Sequence, residues 1–294
     1  MGWIQIQFTT QTEEQEPLEE ALLEAGAVSI TYVDAADQPI LEPGLNETPL
    51  WDALQVMALF DSSVDTHEVL SVTEQIYGQP LPSYEVELLQ DKDWEREWMD
   101  DFQPMQFGRR LWICPSWHEP EDANAVNVRL DPGLAFGTGT HPTTAMCLSV
   151  LDGLDVQGKT ILDYGCGSGI LAISALLLGA DSAVGTDIDP QALTASRDNA
   201  TRNGIVEEKF ELCLAGEEST DSQYDMVLAN ILAGPLVELA PLLSRFLKPG
   251  GTLLLSGLLS DQQAAVVDAY EQIAFQEYYK TEQWLCLQGV KITK

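Results

Sequence analysis

Apolar residues in the first ninety positions switch between a period of two and a period near 3.6. Residues 3–8 alternate apolar and polar, as a strand with one covered face does, whereas 13–25 place Leu18, Ala21, Leu22 and Ala25 on one side of a helix that Gly26 ends. Further strands are expected over 28–33, 54–60 and 84–89, with a second helix over 66–77. The order βαββαβ is the split-βαβ, ferredoxin-like pattern, which sets shape rather than chemistry. Residues 91–102 then carry Trp94, Trp98 and Met99 on one helical face and read as a linker helix ended by Pro104, its aromatic stripe being first a packing surface.

From 103 onward the pattern becomes strands alternating with helices. Strands over 159–163, 183–187, 210–214, 224–230 and 252–258, with helices over 143–151, 170–178, 190–203 and 235–246, predict a doubly wound, mostly parallel sheet of the Rossmann-like α/β class. A turn at Lys248-Pro249-Gly250-Gly251 precedes the last of those strands. Beyond it, 262–272 reads as a helix, and 275–279 with 284–290 as a closing hairpin. The expected organisation is a small α+β domain at 1–90, the linker at 91–102 and a larger α/β domain at 103–294.

Composition narrows the setting. A chain of 294 residues with 45% hydrophobic positions can bury a full core. No apolar run approaches the roughly 20 residues that cross a bilayer, and the start shows no secretory or lipid signal. Five scattered cysteines fit reduced thiols in the cytoplasm, and three histidines without close Cys or His partners leave little from which to build a metal site. The net charge of −33 disfavours nucleic acid and anionic membranes and favours basic partners. Residues 1–91 hold 18 Asp and Glu and no Lys or Arg. Charge by itself leaves two readings of that front region open, a docking surface for a basic protein or a device for solubility. A monomer is expected.

The candidate chemistry gathers in three places. Ile161-Leu162-Asp163-Tyr164-Gly165-Cys166-Gly167-Ser168-Gly169-Ile170 is a strand, a glycine-rich turn and a helix start, where open α/β sheets bind ligands. A dinucleotide site would want a third glycine at Ile170, so the pyrophosphate reading fails there. The spacing Asp163-x-Gly165-x-Gly167-x-Gly169 resembles the first motif of class I methyltransferases, in which the glycines lie against S-adenosylmethionine and the acid helps hold its polar end. Asp187 ends the next strand and can take hydrogen bonds from a ribose diol, while Asp189, before Pro190, reads as a helix cap.

Asn230 ends a further strand in Leu228-Ala229-Asn230-Ile231-Leu232-Ala233, where amino-directed methyltransferases often read Asn-Pro-Pro-Tyr and grip an N–H with the Asn side chain and the following carbonyl. The missing prolines argue against an adenine or glutamine-amide substrate, and a turn-stabilising role for Asn230 stays open. The third place is a polar, glycine-rich loop from Asp131 to the helix start at Thr143 and Thr144. In it His141 is a candidate proton acceptor or a helix cap, and Thr144 a ligand contact or a cap.

Phe136-Gly137-Thr138-Gly139-Thr140-His141-Pro142-Thr143-Thr144, the Asp163–Gly169 turn and Ala229-Asn230-Ile231-Leu232-Ala233 together resemble the bacterial ribosomal protein L-eleven methyltransferases. The likeness runs over nearly the whole chain, including Trp3-Ile4 and Trp94-Glu95-Arg96-Glu97-Trp98. It implies S-adenosylmethionine-dependent methylation of the α-amine and lysine side chains of one basic ribosomal protein, up to the trimethyl state. It further implies that Thr144, Gly165, Asp187 and Asn230 contact the cofactor, that the front domain binds the ribosomal protein, and that the linker presents it in different orientations. A small-molecule methyltransferase and a non-catalytic binding protein on the same scaffold are the rival readings.

Overall fold

In the computed structural model, residues 2–36, 38, 51–89, 102–131, 137, 139–219 and 221–293 are described. The chain divides into two compact units, Met1–Trp98 and Met99–Lys294. The linker helix expected over 91–102 lies outside the described residues except for Phe102, as do residues 132–136 and Thr138 of the polar loop.

In the front unit the alternation of the first strand runs three residues farther than its apolar core suggests, giving β1 (Trp3–Gln11), followed by α1 (Gln15–Glu24), β2 (Ser29–Asp34), β3 (Ala53–Asp61), α2 (Thr66–Tyr77) and β4 (Ser83–Leu89). The strands lie in the order β2-β3-β1-β4 with every neighbour antiparallel, which is the split-βαβ topology. Ile4, Ile6 and Phe8 of β1 and Val56, Ala58 and Phe60 of β3 point to one face, where Leu18 and Leu22 of α1 and Val69 of α2 cover them. Asp65 starts α2 by accepting the His67 and Glu68 N–H groups. On the edge strand β4, Tyr84, Val86 and Leu88 stay exposed, as do Val72 and Ile76 of α2.

The larger unit opens with three strands that the sequence reading did not anticipate, β5 (Met105–Phe107), β6 (Leu111–Cys114) and β7 (Val126–Arg129), which form a small sheet. Three or four residues are too few to show a period. After α3 (Pro142–Gly153) come β8 (Thr160–Tyr164), α4 (Ile170–Leu177), β9 (Ser182–Asp187), α5 (Pro190–Arg202), β10 (Phe210–Leu214) and β11 (Tyr224–Asn230). The helix expected over 235–246 is two helices, α6 (Ala233–Glu238) and α7 (Ala240–Phe246), because Pro241 in the first turn of α7 has no N–H to continue the earlier ladder. Then follow β12 (Leu247–Leu259), α8 (Gln263–Ala269), shorter than the expected 262–272, and the hairpin β13 (Ile273–Thr281) and β14 (Trp284–Lys291). The Lys248–Gly251 turn is absorbed into β12 as an irregularity, the pairing with β11 jumping from Tyr224↔Leu247 to Met226↔Thr252.

The seven strands run β10-β9-β8-β11-β12-β14-β13, parallel from β10 to β12 and closed by the antiparallel hairpin. Side chains alternate between two cores: Ile161, Met226 and Leu254 join Leu148 of α3 and Ile173 of α4, whereas Leu162, Val227 and Leu255 join Leu236 of α6, Phe246 of α7 and Val266 of α8. Helices therefore cover both faces, and the strand order reverses between β8 and β11, which opens a crevice at the carboxyl ends of the strands. No helix among the described residues is long and apolar enough to cross a membrane.

One buried carboxylate ties the small sheet to α3. Asp152 is 3% exposed and accepts the Arg109 N–H at 2.7 Å, the Arg110 N–H at 3.4 Å and the Arg110 side chain at 3.2 Å. Asp152→Ala strands these donors and is expected to cost about 3 kcal/mol. Urea unfolding of the variant measures the loss, and a change below about 0.5 kcal/mol would show that water replaces the carboxylate freely.

Candidate active site

The turn from β8 into α4 is built on backbone that other residues adopt only with strain. Gly165, Gly167 and Gly169 have φ of 77°, 55° and 77°. A Cβ on Gly169 would come 2.8 Å from Ser196 Oγ, and one on Gly165 would collide with the Ile231 side chain. Gly165 and Cys166 donate their N–H groups to Thr186 O at 2.8 and 2.9 Å. Beneath, Ser196 Oγ donates to Gly167 O at 2.9 Å and Asn199 Nδ2 to Ser168 O at 2.9 Å. Ser168 Oγ donates to Gly137 O at 2.6 Å, joining the turn to the polar loop.

Asp187 stands at the end of β9 beside this turn. Its carboxylate accepts the Gly167 N–H at 2.9 Å and the Asp189 N–H at 3.0 Å. A carboxylate offers about four acceptor positions, so two remain for a diol. Next to it Ile188 is 87% exposed and supplies an apolar surface. Asp189 is the expected cap, accepting the Gln191 N–H at 2.8 Å.

Asp163 occupies a different place from the one its motif suggests. It is buried under the turn and accepts the Ala172 N–H at 3.0 Å, so it supports α4 and the glycines from below. Burial pushes its carboxyl up to about 7, against the Ala172 hydrogen bond and with help from the Asp187 charge.

Across the strand reversal, Asn230 Nδ2 donates to Thr144 Oγ1 at 3.1 Å, bringing together residues 86 apart in sequence. Thr144 is 1% exposed and held in the first turn of α3. His141 caps α3: its Nδ1 accepts the Thr143 N–H at 3.4 Å and lies 2.7 Å from Thr143 Oγ1. Its ring stacks edge-on against Trp284 with centroids 5.0 Å apart. Burial lowers its pKa, with partial opposition from Glu282, so the neutral ring is favoured.

The structure thus gathers Thr144, the three glycines, Asp187 and Asn230 around one crevice, sets Asp163 beneath it, and gives His141 a capping role. The supports Ser196 and Asn199 and the exposed Ile188 were not singled out from sequence. Ser196 and Asn199, three apart on α5, are polar where that helix is buried, and this was their one available signal. An acceptor for a diol, an aliphatic face and a glycine-lined floor without phosphate-binding spacing fit S-adenosylmethionine.

The Asp163 carboxyl makes stability depend on pH. Between the ordinary 3.8 and about 7 the native state keeps a proton that the unfolded chain has released, so this group's contribution falls as pH rises through that window. Asp163→Asn retains an acceptor for Ala172 and has no charge to bury. Relative to the parent protein, the variant is expected to gain stability from about pH 5 to about pH 8 in urea unfolding, and a difference independent of pH would refute the buried titration.

Comparison with known proteins agrees with this geometry. The ribosomal protein L11 methyltransferase family matches residues 2–292. Ribosomal protein L11 methyltransferase of Pseudomonas putida (strain W619) is 57% identical over 270 residues, covering 92% of each chain. That of Azotobacter vinelandii is 55% identical over 293 residues, covering 99% of this chain and all of its own. The crystal structure of ribosomal protein L11 methylase from Lactobacillus delbrueckii subsp. bulgaricus superposes with a TM-score of 0.59 at 32% identity, over 65% of this chain and 100% of that one. With the family matched from end to end and its site assembled at the strand reversal, the chain belongs to the ribosomal protein L11 methyltransferases.

Proposed function

We propose that this methyltransferase, acting on ribosomal protein L11, modifies the α-amine and lysine side chains, up to the trimethyl state. The Asn230–Thr144 hydrogen bond supports this reading, because with Nδ2 donating to Thr144 the Asn230 amide is turned so that its Oδ1 would accept a substrate N–H. S-adenosylmethionine, when bound, supplies a methyl group on a sulfonium. Asp187 would hold the ribose diol, the glycine turn its methionine end, and Asp163 the turn itself.

The residues have alignment as their main task. The amine nitrogen forms a bond to the methyl carbon as the carbon–sulfur bond breaks, its electrons passing to sulfur, so no protein nucleophile is needed. A lysine amine with a reference pKa near 10.4 is about 99.9% protonated at pH 7, and the site must favour its neutral form. Desolvation in the crevice and nearness to the sulfonium both act in that direction, with the proton released to solvent before transfer. Asn230 and the Ile231 carbonyl then orient the nitrogen. In this scheme His141 is assigned the capping role, its Nδ1 accepting the Thr143 N–H.

The front unit is proposed to capture the basic substrate. Its charge supports this, and so does β4, an edge strand on which exposed Tyr84, Val86 and Leu88 alternate with Glu85 and Glu87. Such an edge suits an extended basic segment.

The deciding experiment incubates the protein with S-adenosylmethionine and unmethylated large-subunit proteins and locates added methyls by mass spectrometry. Methyls confined to amines of L11 support the reading; cofactor binding without transfer overturns it. His141→Ala is expected to lower the rate less than about tenfold and to leave the pH profile of kcat unmoved, whereas a lost ionisation in that profile would restore it as a base. Raising ionic strength from about 0.05 to about 0.5 M, or Val86→Lys, is expected to raise KM for L11 several-fold at constant kcat. An unchanged KM in both would return the acidic surface to a solubility role.

A further inference from the structure

Ile231, the residue after Asn230, is held from two sides by positions that carry no side chain. Its Cγ2 occupies the place a Cβ on Gly165 would need, so the side chain rests on the cofactor turn. Its backbone lies against Gly257 of β12. A Cβ on Gly257 would come 2.8 Å from the Ile231 carbonyl carbon and 3.1 Å from its nitrogen, and nearer still to its oxygen.

Gly257 has φ of 87° and sits where the β12–β14 register slips between Ser256 and Leu258, a bulge that leaves one residue unpaired. Its neighbour Ser256 is fully buried and joins the elements around the amine side of the crevice. The Ser256 carbonyl accepts the Ile231 N–H at 3.1 Å. The Ser256 hydroxyl lies 3.2 Å from Thr143 O and 3.1 Å from Leu285 O, next to Thr144 and Trp284 respectively.

The geometry points to Gly257 as a positioning residue for methyl transfer: by lacking a side chain it lets the Ile231 carbonyl close against β12 and so sets the depth of the Asn230–Ile231 peptide. This rests on the proposal that Asn230 and Ile231 orient the amine. A methyl at Gly257 drives this peptide outward. Since Ile231 also leans on Gly165, the displacement alters the relation between amine and cofactor. A misplacement on the order of 1 Å at a reacting centre costs about a hundredfold in rate.

Any left-handed glycine resists alanine, so the test needs a matched control. Gly250, also in β12, has φ of 76°, and a Cβ there meets nothing within 4 Å. Gly250→Ala therefore reports backbone strain alone. Steady-state methylation of L11, calorimetric binding of S-adenosylmethionine and thermal melting would be measured for the parent, Gly250→Ala and Gly257→Ala. The expected result is a fall of about a hundredfold in kcat for Gly257→Ala only, with cofactor Kd and KM for L11 within about twofold of the parent and a melting shift exceeding that of Gly250→Ala by the cost of the displaced peptide.

Turnover equal to that of Gly250→Ala overturns the proposal, as does a loss of turnover matched by an equal loss of cofactor affinity. If Gly257→Ala does not fold, Ser256→Ala decides. A selective fall in kcat supports the assignment, and an unchanged kcat overturns it. A parent enzyme silent on L11 overturns the functional reading and this proposal with it, whereas an active parent matched by Gly257→Ala overturns this proposal alone.

Discussion

β8, β9 and β11 run parallel, so their carboxyl ends leave the sheet at one edge, and the reversal of strand order between β8 and β11 keeps any crossover from covering that edge. Everything in the site depends on this constraint. It sets the glycine turn beside Asp187 and Asn230 a short reach from both, without these residues touching in sequence. The turn itself is held by the neighbouring strand, through the two N–H groups donated to Thr186 O, rather than by α4 alone.

The opposite edge of the same sheet shows the contrast. There Asp225 accepts the Thr160 N–H at 2.9 Å, its hydroxyl at 2.8 Å and Lys248 Nζ at 2.9 Å, closing the amino ends of β8, β11 and β12 into one network. Burial pushes the Asp225 carboxyl up, but those donors outweigh it and hold it at about 2. Asp163, with the Ala172 N–H as its one hydrogen bond and no cation beside it among the described residues, is driven the other way by burial. At the amino edge the polar groups satisfy one another, and at the carboxyl edge Asp187 keeps acceptor capacity for a ligand.

Much of this was legible in the order of residues. The long periodic strands and helices, the glycine spacing and the acid ending β9 each follow from a local rule, and the described elements sit within a few residues of their expected places. What escaped depends on contacts distant in sequence. The breaks at 239–241 and 248–251 reflect Pro241 and the packing of β12 on β11, while β5, β6 and β7 are too short to carry a period. His141 left two roles open because a cap and a base share the same residue type, and the contact the structure shows, Nδ1 accepting the Thr143 N–H, joins it to a residue it could not be paired with from composition. Nothing local marks Gly257, since its reason for being glycine is the backbone of Ile231, 26 positions earlier.

The front region contains no lysine through residue 91, and β4 offers Glu85 and Glu87 at its exposed edge. A protein methyltransferase whose proposed targets are amines faces the hazard of becoming its own substrate, most of all on a surface beside the captured protein. On the proposed reading of this unit as the capture surface, the absence of lysine means that it presents no ε-amine of its own to compete with the guest, and composition alone removes that side reaction.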